Sequence, residues 1–171
     1  VNVTQNGKNA YLDLENGKEY YTNFKLETFK EGYARVHNDS CNYFIDESGN
    51  KISDYFEDAK DFYNGMAAVK LRGKWGFIDH SGKLTIPIEY ESVSPMLGGT
   101  SIVRSEYGTG LINRLGNILI KPAPGAIIQH CLSAFSEPDK AFPVSVKFPA
   151  IGKHFIVDKY GKIHNPNIIE D

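Results

Sequence analysis

The chain has 171 residues, 41% hydrophobic and 23% charged, enough apolar material for a core and too much for a disordered polypeptide. Lys and Arg number 19 against 21 Asp and Glu, mixed along the chain, so no basic face is offered to nucleic acid. Two cysteines, Cys41 and Cys131, are too few for a disulfide scaffold or a zinc cage, and no apolar run is long enough to span a membrane.

The elements that follow are short. Val, Ile, Thr, Phe, Tyr and Trp total 52 residues against 24 Ala, Leu, Met and Gln, and 16 Gly punctuate them, which points to an all-β chain. The first is Gly7-Lys-Asn-Ala-Tyr11-Leu12-Asp13, with a turn closing at Gly17-Lys18. Next come Gly32-Tyr-Ala34-Arg-Val36 and Tyr43-Phe44-Ile45-Asp46-Glu-Ser-Gly49-Asn50. The same pattern returns as Gly65-Met-Ala67-Ala-Val69 and Gly73-Lys-Trp75-Gly-Phe77-Ile78-Asp79-His-Ser-Gly82-Lys83. It returns again as Gly99-Thr-Ser101-Ile-Val103 and Gly110-Leu111-Ile112-Asn113-Arg-Leu-Gly116-Asn117. Opening glycines at 32, 65 and 99 and closing glycines at 49, 82 and 116 give the same two spacings, 33 and 34. Two independent marks agreeing define a tandem repeat.

Each unit reads as three antiparallel strands. Ala67 and Val69 share one face of the first strand, as Ala34 and Val36 do. The second strand carries adjacent apolar residues in every copy (Tyr11-Leu12, Phe44-Ile45, Phe77-Ile78, Leu111-Ile112, Ile156-Val157), so it should be covered on both faces. An Asp/Asn-x-x-Gly turn follows, with the glycine in the left-handed region. The third strand, over 84–88 and 118–120 in the best copies, contains Pro87 and Pro122 and should be an edge. Phe56-Glu-Asp-Ala59 and Tyr90-Glu-Ser-Val93 are expected to link units as short helical turns or bends. Between the fourth copy and the fifth, which comprises Val144-Ser-Val146 and Gly152-Lys-His-Phe-Ile156-Val157-Asp158-Lys-Tyr-Gly161-Lys162, the glycine step lengthens to 45. There Ile127, Ile128, Cys131, Leu132 and Phe135 fall at helical spacing and predict an amphipathic helix over 126–136. The units run over 1–28, 29–61, 62–95, 96–122 and 141–171, in one repeat domain with a non-repetitive insertion at 123–140. Open stacking is expected, with a small β-propeller as the alternative.

The residues Phe62-x-x-Gly65-x-Ala67-x-Val69, Lys74-Trp75-Gly76-Phe77-Ile78-Asp79-x-x-Gly82-Lys83 and Ile86-Pro87 make the chain resemble the WG-repeat family, also called KWG repeats. Outside the third copy the Trp-Gly pair is replaced by Asn9-Ala10, Asn42-Tyr43, Thr109-Gly110 and His154-Phe155. The resemblance implies tandem arrays, mostly bacterial, that mediate interactions and share no catalytic residue.

The candidate chemical groups read first as structural ones. Asp13, Asp46, Asp79 and Asp158 occupy equivalent turn positions, which suits backbone capping better than calcium or acid–base chemistry. His37, His80, His154 and His164 stand singly, and His130-Cys131 alone cannot build a metal site, Cys131 being expected as a buried thiol. Neither Gly108-Thr-Gly110 nor Gly98-Gly99 opens a phosphate loop. Asn2-Val-Thr4 and Asn38-Asp-Ser40 match glycosylation sequons by composition alone. Tyr20, Tyr21, Tyr63, Trp75, Tyr90 and Tyr107 are expected to staple one unit to the next, with a stacking surface for sugars or peptides as the alternative. Candidate binding residues are Tyr63, Arg72, Trp75 and Tyr107.

The expectation is a non-catalytic binding or scaffold module for a protein or carbohydrate ligand, without cofactor or metal, within a larger bacterial protein. The alternative is an enzyme or accessory domain with its site at 122–149. The start at Val1 is expected to reflect processing or excision from a longer chain, with a lean to a secreted or envelope setting.

Overall fold

Short strands alternating with glycine turns build five separate antiparallel sheets in the computed structural model, which describes residues 2–5, 8–12, 19–22, 24–130, 144–158, 160 and 162–164. The first sheet is β1 (Asn2–Gln5), β2 (Lys8–Leu12) and β3 (Glu19–Thr22); the second is β4 (Lys25–Leu26), β5 (Tyr33–His37) and β6 (Asn42–Asp46). The third is β7 (Asp58–Ala59), β8 (Met66–Leu71), β9 (Lys74–Asp79) and β10 (Leu84–Tyr90). The fourth is β11 (Ser92–Val93), β12 (Thr100–Ser105), β13 (Gly108–Asn113) and β14 (Ile118–Ala123). The fifth is β15 (Ile127–His130), β16 (Val144–Phe148), β17 (Lys153–Val157) and β18 (Ile163–His164). Within each sheet the strands pair in sequence order, and the array is open rather than closed into a ring.

The adjacent apolar pairs explain the stacking. Ile78 faces back into a core with Phe44, Phe56, Phe62, Ala67 and Val69, between the second and third sheets. Phe77, one residue earlier, faces forward into a core with Met66, Ala68, Ile86, Met96, Val103 and Ile112, between the third and fourth. Leu111 continues the pattern, facing Ile128, Val144, Val146 and Val157 across the next interface. Ile45 turns to the other side of the second sheet with Ala34 and Val36. Successive side chains of a strand point to opposite faces, so β6, β9 and β13 each feed two cores. Fully burying a side chain the size of Phe77 contributes about 1.5–3 kcal/mol.

The third strand lies at a sheet edge, as Pro87 and Pro122 require, and its pairing with the second is interrupted by bulges. That bulge accounts for the glycine of the Trp-Gly pair. A Cβ at Gly76 would meet the Ile86 carbonyl at 2.6 Å, and one at Gly110 the Ile120 carbonyl at 2.8 Å. The fourth copy therefore keeps Gly110 although it has lost the tryptophan.

Three expectations are corrected. The helix over 126–136 is absent where it can be followed: Ile127–His130 is β15, with Ile128 and His130 opposite Val146 and Val144. The stretch Ala126-Ile-Ile-Gln-His130 satisfies both periods. Alternation wins, with Ile128 buried and Ile127 exposed, because the edge of β16 needs a partner. Cys131, Leu132 and Phe135 lie outside the described residues. The linkers at 56–59 and 90–93 are extended, and each gives a two-residue strand to the following sheet. The three-strand unit thus acquires a fourth strand from residues read as the end of the preceding unit. Among the described residues the helical element is a single 3-10 turn, Pro149–Ile151.

Candidate functional site

Because the strands are antiparallel, the turns alternate between two ends of the stack. One end is latched. Its Glu31-Gly32, Asn64-Gly65 and Gly98-Gly99 turns all carry two successive positive φ angles, the signature of type I′. Glu31 accepts the Asn64 N–H at 2.7 Å and the Gly65 N–H at 2.9 Å. Asn64 in turn accepts the Gly99 N–H at 2.9 Å through its side-chain oxygen. The Lys30 ammonium donates to the Tyr63 hydroxyl at 2.9 Å and pairs with Asp61, which together hold that ammonium above its ordinary pKa. His80 reaches Glu31 at 3.1 Å and stacks on Tyr33. Apart from the Lys30–Asp61 pair, each of these links joins one repeat to the next.

The Asp/Asn-x-x-Gly turns share this end. Asp79 Oδ1 accepts the Ser81 and Lys83 N–H groups; Asn113 and Asp158 do the same at their turns, and Asp46 accepts from Asn50. Gly49, Gly82 and Gly116 have φ between 78 and 84°. The Ser81 hydroxyl above all, and with it the turn amides, hold the Asp79 carboxyl below its ordinary value. These carboxylates are spent on turns, as their spacing suggested; Asp13 and Gly161 lie outside the described residues. His37 meets Glu27, and His154 the Ser145 hydroxyl, while the side chain of His164 is outside the described residues. Asn38 closes its own turn on the Ser40 and Cys41 amides.

The opposite end carries the hairpin tips, and here the repeats diverge. In the third sheet Arg72-Gly73 forms a type I′ turn, φ 51° and 74°. Glu57 seals it, accepting the Arg72 N–H at 2.7 Å and the Gly73 N–H at 3.0 Å; these bonds lower the glutamate's pKa. In the fourth sheet the equivalent pair is Glu106-Tyr107, where neither residue has a positive φ and Gly108, at φ 113°, absorbs the bend. The equivalent carboxylate, Glu91, turns instead to the Arg104 guanidinium at 3.8 Å. Between this tip and residues 124–127 lies an open cleft of about 500 Å³. It is lined by Tyr107, 66% exposed, and Ile127, 46% exposed, together with Glu91, Arg104 and Thr109. The neighbouring Glu106 carboxylate raises the Tyr107 phenol above its ordinary value.

The four candidate binding residues therefore part company. Tyr63 is at the latched end, bonded to Lys30. Trp75 is 8% exposed, packed in the core with Tyr90 and covered by the Lys60 and Lys70 ammonium groups. The stapling role holds for both of these, and for Tyr90. Arg72 and Tyr107 stand at the tip end, one sheet apart; the side chains of Tyr20 and Tyr21 are outside the described residues. Reading the sequence missed Glu91, Arg104 and the wall at 124–127. The available signal was the loss of the Arg-Gly turn at Glu106-Tyr107, beside the point where the repeat period breaks.

Among the described residues no three His, Cys, Asp or Glu side chains are grouped as metal ligands, and no helix is long and apolar enough to cross a membrane. Compared with known proteins, residues 44–75 and 75–107 match the WG-containing repeat, two adjacent copies that meet at Trp75. No curated protein and no solved structure matches the chain.

Proposed function

Starting from two adjacent WG-containing repeats, we propose that this chain is a non-catalytic binding module that presents the tip end of its array to a macromolecular ligand, within a larger bacterial protein. The observation that carries the reading is the contrast between the two ends. Latched-end turns are joined from repeat to repeat by side-chain bonds to backbone, whereas equivalent tip-end positions differ and leave an open cleft. In stacked repeats the loops that differ from unit to unit gather on one face, often the binding face. Both glutamates of the cleft are solvent-exposed, whereas acid–base catalysis favours carboxyls set in partly buried surroundings.

The test is photo-crosslinking in cells of the source organism. A photoreactive residue replaces Arg72 or Tyr107 at the tip end, or Ser48 or Ser81 at the latched end. Discrete adducts from the tip-end positions support the reading. Adducts from the latched-end positions alone overturn it.

A further inference from the structure

We propose that the cleft between the Glu106-Tyr107 turn and residues 124–127 is a saccharide subsite, an inference that rests on the tip-end reading above and gives that surface a ligand class. The repeat supplies an internal control. Glu57 and Glu91 are equivalent, 34 residues apart, and so are the two turns they face. At Arg72-Gly73 both amides point at Glu57, and the carboxylate is consumed as a cap. Arg-Gly tolerates two positive φ angles, whereas Glu-Tyr adopts them at greater cost, so the fourth tip takes another turn. Glu91 is thereby released from capping and becomes one half of an exposed acceptor–donor pair with Arg104.

The tip itself is fixed. A Cβ at Gly108 would collide with the Ala123 carbonyl, so the tip backbone rests directly on the end of β14. Residues 124–127 line the same opening, and Ile127 among them is 46% exposed.

The chemistry selects among ligands. An anion would approach Glu91 and Glu106 with only Arg104, already paired, to receive it. An apolar peptide anchor needs a closed pocket, and this cleft is open. A sugar ring presents an apolar C–H face and a rim of hydroxyls, each of which can donate and accept. Tyr107 offers a two-thirds exposed ring to the first. Glu91, Arg104, Ser105 and Thr109 offer acceptors and donors to the second. A neutral ligand leaves the Glu91–Arg104 pair intact.

The experiment is amide NMR on the complete chain, titrated to about 10 mM with neutral tetrasaccharides of β-1,4-glucose, α-1,4-glucose and N-acetylglucosamine, and separately with tetralysine. The expected result is saturable shifts with at least one saccharide at Tyr107, Gly108, Thr109 and Gly125. Y107A and E91Q should weaken binding by about tenfold or more, while Y107W and the latched-end variant E47Q retain it. Tyr107 and Glu91 are both exposed, so their variants are expected to keep the wild-type spectrum elsewhere. Shifts that persist unchanged in Y107A, or no saccharide response, overturn the proposal. Tetralysine alone moving these amides overturns the saccharide assignment and leaves the tip-end reading standing. Latched-end crosslinks, by contrast, sink that reading and not this cleft.

Discussion

Gly82 and Gly32 have nearly the same backbone conformation, φ 78° and 84°, yet very different surroundings. Nothing lies within 4 Å of where a Cβ at Gly32 would sit, whereas one at Gly82 would drive into the Ile52 carbonyl of the preceding repeat. Gly32→Ala should therefore cost about 1 kcal/mol of conformational strain alone. Gly82→Ala should cost at least about 2 kcal/mol more, because two units must part; urea denaturation of the pair measures the difference. A second comparison tests the assignment of turn against core. Ile78→Ala removes a side chain that is 1% exposed and should lose about 2–5 kcal/mol. Asp79→Ala removes turn bonds at the surface and should lose about 1 kcal/mol, leaving ligand binding at the tip end unchanged. A larger loss at Asp79 than at Ile78 by chemical denaturation would reverse the assignment.

At the scale of elements, the junction between the fourth and fifth sheets contains a titratable link. His130 on β15 meets the Thr100 hydroxyl on β12 at 3.2 Å. Burial, the larger effect, lowers the His130 pKa below its ordinary 6.5 despite an opposing contribution from Thr100. The folded state therefore resists protonation more than the unfolded chain does. The stability this supplies is complete above pH 6.5 and is lost as pH falls from 6.5 through the lowered folded value. Hydrogen exchange at pH 7.5 and 5.0 should show β15 and β16 losing protection on acidification, and His130→Gln should flatten that response. Equal loss in the variant would place the sensitivity elsewhere. The same elements show what a sequence can and cannot reveal. Phe77-Ile78 announced a strand buried on both faces because no other strand type has two apolar neighbours in every copy. Ala126-Ile-Ile-Gln-His130 could not be resolved, since five residues fit either period and the deciding fact is a free edge on β16. Asp58–Ala59 was illegible for a related reason: two residues carry no period, and their partner Val69-Lys70 lies beyond the next turn.

At the scale of the molecule, the repeat length was readable from glycines that turns require, and the open array follows from residues that divide their side chains between two neighbours. The cleft was not readable. Glu91 precedes the Glu106-Tyr107 turn by 15 residues and belongs to a linker, so its release is visible only beside Glu57, which performs the capping role one unit earlier.

Those divided strands have a consequence for growth. The three interfaces from the second sheet to the fifth are each assembled from the forward half of one sheet and the backward half of the next, so a unit carries both the plug and the socket of the stack. Lengthening the chain by a whole period needs no new fit to be invented. A second copy of residues 58–91 inserted after Glu91 would place Ala67 and Ile78 of the copy against Ala68 and Phe77 of the original, and small beside large is already the currency of both neighbouring cores. The enlarged chain should fold with a urea midpoint no lower than the parent's, and its circular dichroism should gain strand signal in proportion to length. An aggregated or partly unfolded product would mean that the two halves are matched to particular neighbours. If they are interchangeable, the number of units is free to drift in descent while the latched end keeps each new arrival in line.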